Sequence, residues 1–170
     1  IPSVQEFEGF LYAGTLKNVD EVTSAEVWRT ADGSNWEKVD ERGHNGCADL
    51  IEFDGYLYCG SWDGAVWRSD DGIAWQDVVT GGFGDPNNGI ARFEVYNNML
   101  YAGTWNGTTG TQIWRTNDGA NWTIFGNGLD PMNIANGAIS TEIFGGFLYW
   151  GTGNWQTGAQ LWRTDGTTLT

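Results

Sequence analysis

A chain of 170 residues with a hydrophobic fraction of 40%, 11 Trp, 8 Phe and 6 Tyr has enough apolar material for one folded domain, which excludes a disordered acidic tail. Its 22 acidic against 8 basic side chains give a formal charge of −14; that sign repels a phosphate backbone and argues against nucleic acid as a partner. No apolar run approaches the length of a membrane span, so no membrane insertion is expected, and 26 Gly with 3 Pro between short apolar runs point to short strands and tight turns.

In chain order, nearly the same pattern is written four times, over about residues 1–41, 42–84, 85–132 and 133–170. Each repeat opens with an aromatic residue and a hairpin turn: Phe7 before Glu8-Gly9, Phe53 before Asp54-Gly55, Tyr96 before Asn97-Asn98, and Phe144 before Gly145-Gly146. Leu-Tyr follows at Leu11-Tyr12, Leu57-Tyr58, Leu100-Tyr101 and Leu148-Tyr149, with a glycine two residues past each Tyr. After a loop of variable length come Trp28-Arg29, Trp67-Arg68, Trp114-Arg115 and Trp162-Arg163, then an Asp-Gly turn. Successive Tyr positions lie 46, 43 and 48 residues apart, a period that holds about four short strands. The expected fold is all-β, a propeller of four-stranded antiparallel blades packed face to face, with most Trp in the core.

Repeat four carries Leu169 where the others carry Trp, and its fourth strand is barely begun. The expectation is that the four repeats are a segment of a larger ring, or that copies assemble to close one. In repeat two, a turn at Asp54-Gly55 sets Leu50 opposite Cys59 and Cys47 opposite Trp62. An offset of roughly 10 Å along the strand then argues against a disulfide between Cys47 and Cys59.

The Asp-Gly turns read Thr30-Ala31-Asp32-Gly33-Ser34-Asn35-Trp36, Ser69-Asp70-Asp71-Gly72-Ile73-Ala74-Trp75 and Thr116-Asn117-Asp118-Gly119-Ala120-Asn121-Trp122, with a fourth at Asp165-Gly166. They resemble the Asp-box of bacterial neuraminidase-type repeat propellers, one residue shorter than the commonest form. The resemblance implies a structural role for Asp32, Asp71, Asp118 and Asp165, on the side of the blades away from ligand, and it transfers no catalytic residue. The Arg column at 29, 68, 115 and 163 is expected to pair with Asp between blades.

On the opposite side lie the loops between second and third strands and those leading to the next repeat. They carry Trp62-Asp63, Trp105-Asn106 and Asn154-Trp155, and an Asn-Gly step at Asn45, Asn88 and Asn136 that precedes each inner strand. Exposed Trp beside amides and carboxylates suits sugars, whose C–H faces stack on aromatic rings while their hydroxyls need directional partners. The competing reading is that the Asn residues shape turns and the Trp residues cap blades. Asp49, Arg92, Glu94, Ser140 and Glu142 are expected to line a central channel. The lone His44 excludes a multi-His metal site, and no cofactor or metal is expected.

The functional expectation is a non-enzymatic, extracellular or cell-surface module that binds a glycan or another surface polymer, with self-association. The alternatives are a self-assembling structural scaffold and, behind it, a sialidase-like glycoside hydrolase fragment.

Overall fold

A computed structural model describes residues 3–19, 22–129, 137–154 and 158–170. The first repeat forms β1 (Ser3–Phe7), β2 (Phe10–Val19), β3 (Val22–Thr30) and β4 (Glu37–Arg42), and the second β5 (Asp49–Phe53), β6 (Tyr56–Gly60), β7 (Val66–Ser69) and β8 (Gln76–Val79). The third forms β9 (Gly89–Tyr96), β10 (Met99–Trp105), β11 (Thr111–Thr116) and β12 (Thr123–Leu129), and the fourth β13 (Gly137–Phe144), β14 (Phe147–Gly153) and β15 (Gln160–Thr164). Within each repeat the strands pair antiparallel in sequence order, and among the described residues a pairing of Trp105 with Gly137 joins the third sheet to the fourth. After β15 the chain turns back, and Arg163 and Thr170 exchange two backbone hydrogen bonds. These are the blades of a β-propeller.

The hairpin turns set the register. Both central residues have positive φ in all four, at Glu8-Gly9, Asp54-Gly55, Asn97-Asn98 and Gly145-Gly146, the geometry whose twist matches that of the flanking strands. Side chains of cross-strand partners share a face, so each blade has two distinct faces. One carries the Tyr and Arg columns, because Tyr12 opposes Arg29, Tyr58 opposes Arg68, Tyr101 opposes Arg115 and Tyr149 opposes Arg163. The other carries the Trp column, because Ala13 opposes Trp28, Cys59 opposes Trp67, Ala102 opposes Trp114 and Trp150 opposes Trp162.

Among the described residues the core lies between blades, in three clusters with one plan. Phe7, Tyr12 and Val27 of blade 1 meet Leu50, Leu57 and Trp67 of blade 2. Tyr58 and Val66 of blade 2 meet Phe93, Leu100 and Trp114 of blade 3. Tyr101 and Ile113 of blade 3 meet Leu148, Trp150 and Trp162 of blade 4. Each interface is a Tyr face on a Trp face. Blade spacing requires Gly60: a Cβ there would lie 2.5 Å from Ile90 and 2.8 Å from Phe93 of the next blade.

The Asp-Gly turns have the expected internal chemistry. Asp118 Oδ1 accepts the backbone N–H of Ala120 at 2.9 Å and of Asn121 at 2.7 Å, and Oδ2 accepts Asn121 Nδ2–H at 2.7 Å. Asp32 repeats this set with Ser34 and Asn35, Asp71 accepts from Ile73 and Ala74, and Asp165 from Thr167. These bonds to the ionised form hold all four carboxyls below the usual Asp range. The Arg column departs from expectation, because those carboxylates are already occupied by their own turns. Arg29, Arg68, Arg115 and Arg163 lie over Phe10, Tyr56, Phe125 and Phe147 at 4.3, 4.1, 4.3 and 4.8 Å. Across the blade boundary Arg68 donates to the carbonyl of Asp118 at 3.4 Å, and Arg115 to that of Gly166 at 2.8 Å.

A second correction concerns the cysteines. Leu50 does oppose Cys59, but Cys47 and Cys59 form a disulfide with Cα atoms 6.0 Å apart. An offset of roughly 10 Å holds only for an inner strand that runs straight back through Cys47. The strand starts instead at Asp49, and the Cys47 amide bonds the carbonyl of Thr15 in blade 1 at 3.0 Å, so the chain bends and turns Cys47 towards Cys59.

Candidate functional site: axial cleft and rim

The inner strands β1, β5, β9 and β13 line a cleft of about 430 Å³. Ser3, Asp49, Arg92 and Ser140 occupy one register position, each opposite the repeated glycine at 14, 60, 103 or 151. Four equivalent positions therefore present a hydroxyl, a carboxylate, a guanidinium and a hydroxyl to one axis. Asp49 ties three blades together: Oδ1 accepts Ser3 Oγ–H at 2.9 Å and lies 3.4 Å from Arg92 Nη1, while Oδ2 accepts the Phe93 N–H at 2.7 Å. Burial pushes its pKa up against the Phe93 amide and the Arg92 charge, which act the other way. One step along, Glu94 accepts Thr141 Oγ1–H from blade 4 at 2.8 Å. Glu142 is exposed. Of the residues expected to line a channel, Asp49, Arg92, Glu94 and Ser140 line the cleft and Glu142, which alternates with Thr141 along β13, does not.

Around the end of the cleft where the inner strands begin stand the loops that carry the other candidates. Trp62 is 39% exposed and Trp105 is 44% exposed. Each packs one part of its ring on a glycine that leads into a neighbouring inner strand: a Cβ on Gly46 would lie 2.9 Å from Trp62, and one on Gly137 2.8 Å from Trp105. The two rings are thus both caps and exposed aromatic surface. Asp63 bonds Ser61 Oγ and lies 3.2 Å from His44 Nδ1. Burial, the largest single influence on it, acts upwards, yet the Ser61 and His44 contacts leave its pKa lowered. His44 stacks on Trp67 with centroids 5.4 Å apart. Asn45 is exposed, and its carbonyl accepts the Trp62 N–H at 3.2 Å.

The remaining amides are internal. Asn88 and Asn106 are buried; Asn106 Nδ2 donates to Asn88 Oδ1 at 2.8 Å and to Asp85 Oδ2 at 2.9 Å, and Asn106 Oδ1 accepts the N–H of Thr108 and Thr109 at 2.9 Å each. Asn88 Nδ2 donates to Gln112 Oε1 at 2.8 Å and to the Gly82 carbonyl at 2.9 Å. Asn154 is also buried. Trp155 and Asn136 lie outside the described residues.

Asp85 and Gln112 went unnoticed in the sequence as organisers of this loop. For Gln112 a signal existed: an acceptor two residues before the Trp recurs in Glu26-Val27-Trp28 and Gln112-Ile113-Trp114, and both accept the indole N–H, at 2.9 and 3.0 Å. Among the described residues no group of three His, Cys, Asp or Glu side chains is placed to hold a metal ion, and no helix is long and apolar enough to cross a membrane.

No family model, that of the Asp-box repeats included, matches the sequence, and no curated protein matches it significantly. Solved structures do resemble the fold. A GH43 β-1,3-galactosidase with galactodeoxynojirimycin has a TM-score of 0.62 at 9% identity, over 98% of this chain and 73% of that one. A Bombyx mori GH32 β-fructofuranosidase mutant in complex with sucrose has 0.58 at 10% identity, over 95% of this chain and 44% of that one. The computationally designed Ika4 protein has 0.54 at 15% identity, over 95% and 89%. The chain thus spans less than half the length of the fructofuranosidase that it resembles. At these identities the likeness concerns the fold, and by fold the chain is similar to β-propellers of both glycoside hydrolases and designed proteins.

Proposed function

We propose that the chain is a non-enzymatic binding module for glycans, used at the cell surface or outside the cell, with Trp62 and Trp105 as stacking platforms above the polar axial cleft. The observation that carries this reading is the pair of half-exposed indoles at equivalent loop positions, Trp62 two residues past Gly60 and Trp105 two past Gly103, near the starts of the inner strands that line the cleft. An indole face stacks on the C–H face of a pyranose, and the hydroxyl, carboxylate and guanidinium groups at the axis match sugar hydroxyls. The buried amides Asn88 and Asn106 hold the loops and leave contact with ligand to Trp62, Asp63, Trp105 and Asn45. The Cys47–Cys59 disulfide supports an oxidising compartment. Two of the similar structures are of glycoside hydrolases held with sucrose or with galactodeoxynojirimycin, which agrees with a sugar-sized ligand.

A glycan array with wild-type protein and the Trp62→Ala and Trp105→Ala variants tests the reading, with thermal melting to confirm that each variant folds. Retention of a glycan class that both variants lose at least about tenfold is the expected result. Absence of binding, or binding indifferent to both indoles, overturns it. Turnover of a chromogenic glycoside overturns the non-enzymatic part.

A further inference from the structure

Three interblade cores use three Tyr faces and three Trp faces, which leaves one of each uncovered. The Trp face of blade 1 is open. Leu11 there is 38% exposed, whereas Leu57, Leu100 and Leu148 in the same column are fully buried, and Val4 is 56% exposed where Leu50 and Phe93 are buried. The Tyr face of blade 4 is open too. Phe144 is 73% exposed against 2% for Phe7, and Leu161 is 70% exposed where Val27, Val66 and Ile113 are fully buried.

The turns repeat this pattern. A Cβ on Gly72 would lie 1.8 Å from the hydroxyl of Tyr12, and one on Gly119 would lie 1.7 Å from that of Tyr58, so each Tyr seats on the Asp-Gly turn of the following blade. Among the described residues, nothing lies within 4 Å of a Cβ placed on Gly33 of blade 1. Tyr149 and Arg163 of blade 4 are the two side chains that such a turn would receive.

We infer that the chain associates head to tail with a second copy of itself, the Tyr face of blade 4 in one copy packing on the Trp face of blade 1 in the other. Both surfaces are halves of an interface that the chain already makes three times, and they are of opposite kind, so the contact is heterologous. Tyr149 seats on the Gly33 turn, Arg163 donates to a carbonyl of that turn, and Leu161 packs among Leu11 and Val4. Two such contacts in a closed pair unite eight blades, within the range of about four to eight found in propellers. The formal charge of −14 on each copy opposes the approach, so association strengthens as salt rises.

Analytical ultracentrifugation of the whole chain, Val4→Asp, Leu161→Asp and their mixture tests this, with circular dichroism to confirm folding; both sites are exposed, so either variant keeps its internal cores. The expected result is a species of twice 18.7 kDa for wild type and monomers for each variant alone. The mixture is expected to recover a dimer, because the intact blade 1 of Leu161→Asp meets the intact blade 4 of Val4→Asp. A wild-type monomer up to roughly 100 µM overturns the inference, as do single variants that still dimerise and a mixture that fails to complement.

Discussion

The blade-to-blade contacts and the axis are built from the same strands but follow opposite rules. Between blades, Tyr58 and Tyr101, Gly119 and Gly166, and Arg68 and Arg115 hold the same positions in successive repeats, because each seats on a neighbour of fixed shape. At the axis, Ser3, Asp49, Arg92 and Ser140 hold one position with three chemistries, because that edge of each blade faces a cleft rather than another sheet. A repeat protein can vary its chemistry where no neighbour dictates shape, and the variable positions are therefore where selectivity can reside.

The sharpest break of the contrast is at the indoles between blades. Trp67→Ala or Trp150→Ala, each at a fully buried side chain, is expected to cost about 3–5 kcal/mol in chemical denaturation. Cutting the disulfide by Cys59→Ser, which frees a loop with a sequence separation of 12, is expected to cost up to about 3 kcal/mol, read as a lower Tm that reductant reproduces in wild type. Gly60→Ala pushes a methyl into Ile90 and Phe93, with an expected loss of about 1–3 kcal/mol. Ser140→Ala, exposed at the axis, is expected to change stability by less than about 0.5 kcal/mol.

Acid sharpens the same contrast. The turn carboxyls have lowered pKa values, so their contribution is complete above the ordinary Asp range and fades as pH falls through it towards the folded values. Asp118→Asn is expected to flatten the loss of stability below about pH 4. Asp49 has a raised pKa, so its charged form opposes folding and protonation relieves it as pH falls through the raised folded value. The advantage of wild type over Asp49→Asn is therefore expected to grow on acidification, the reverse of Asp118; parallel trends in urea titrations would contradict the assignment.

Much of this was legible in the sequence because it is local and repeated. The positive-φ hairpins, the Asp-Gly turns and the register that sets Leu50 opposite Cys59 follow from residue type at short range. What the sequence hid depends on where the chain crosses from one blade to the next. The bend that brings Cys47 to Cys59 is made by a bond to Thr15, 32 residues earlier. The burial of Asn88 and Asn106 depends on Asp85, in the loop of Asn88 itself, and on Gln112 of β11. Amides in a loop look alike on paper whether they face solvent or one another, and only the folded network separates Asn45 from Asn88.

The line of three interblade cores has a statistical consequence. Each blade is coupled to its immediate neighbours, so stability behaves as a sum of intrinsic and nearest-neighbour terms along a short one-dimensional array. Blades 2 and 3 have two couplings, whereas blades 1 and 4 have one each. In a copy separated from its partner, opening then begins at the ends and moves inward, so amide protons of β6 and β10 exchange last and those of β4 and β15 first, and closing the pair protects blades 1 and 4.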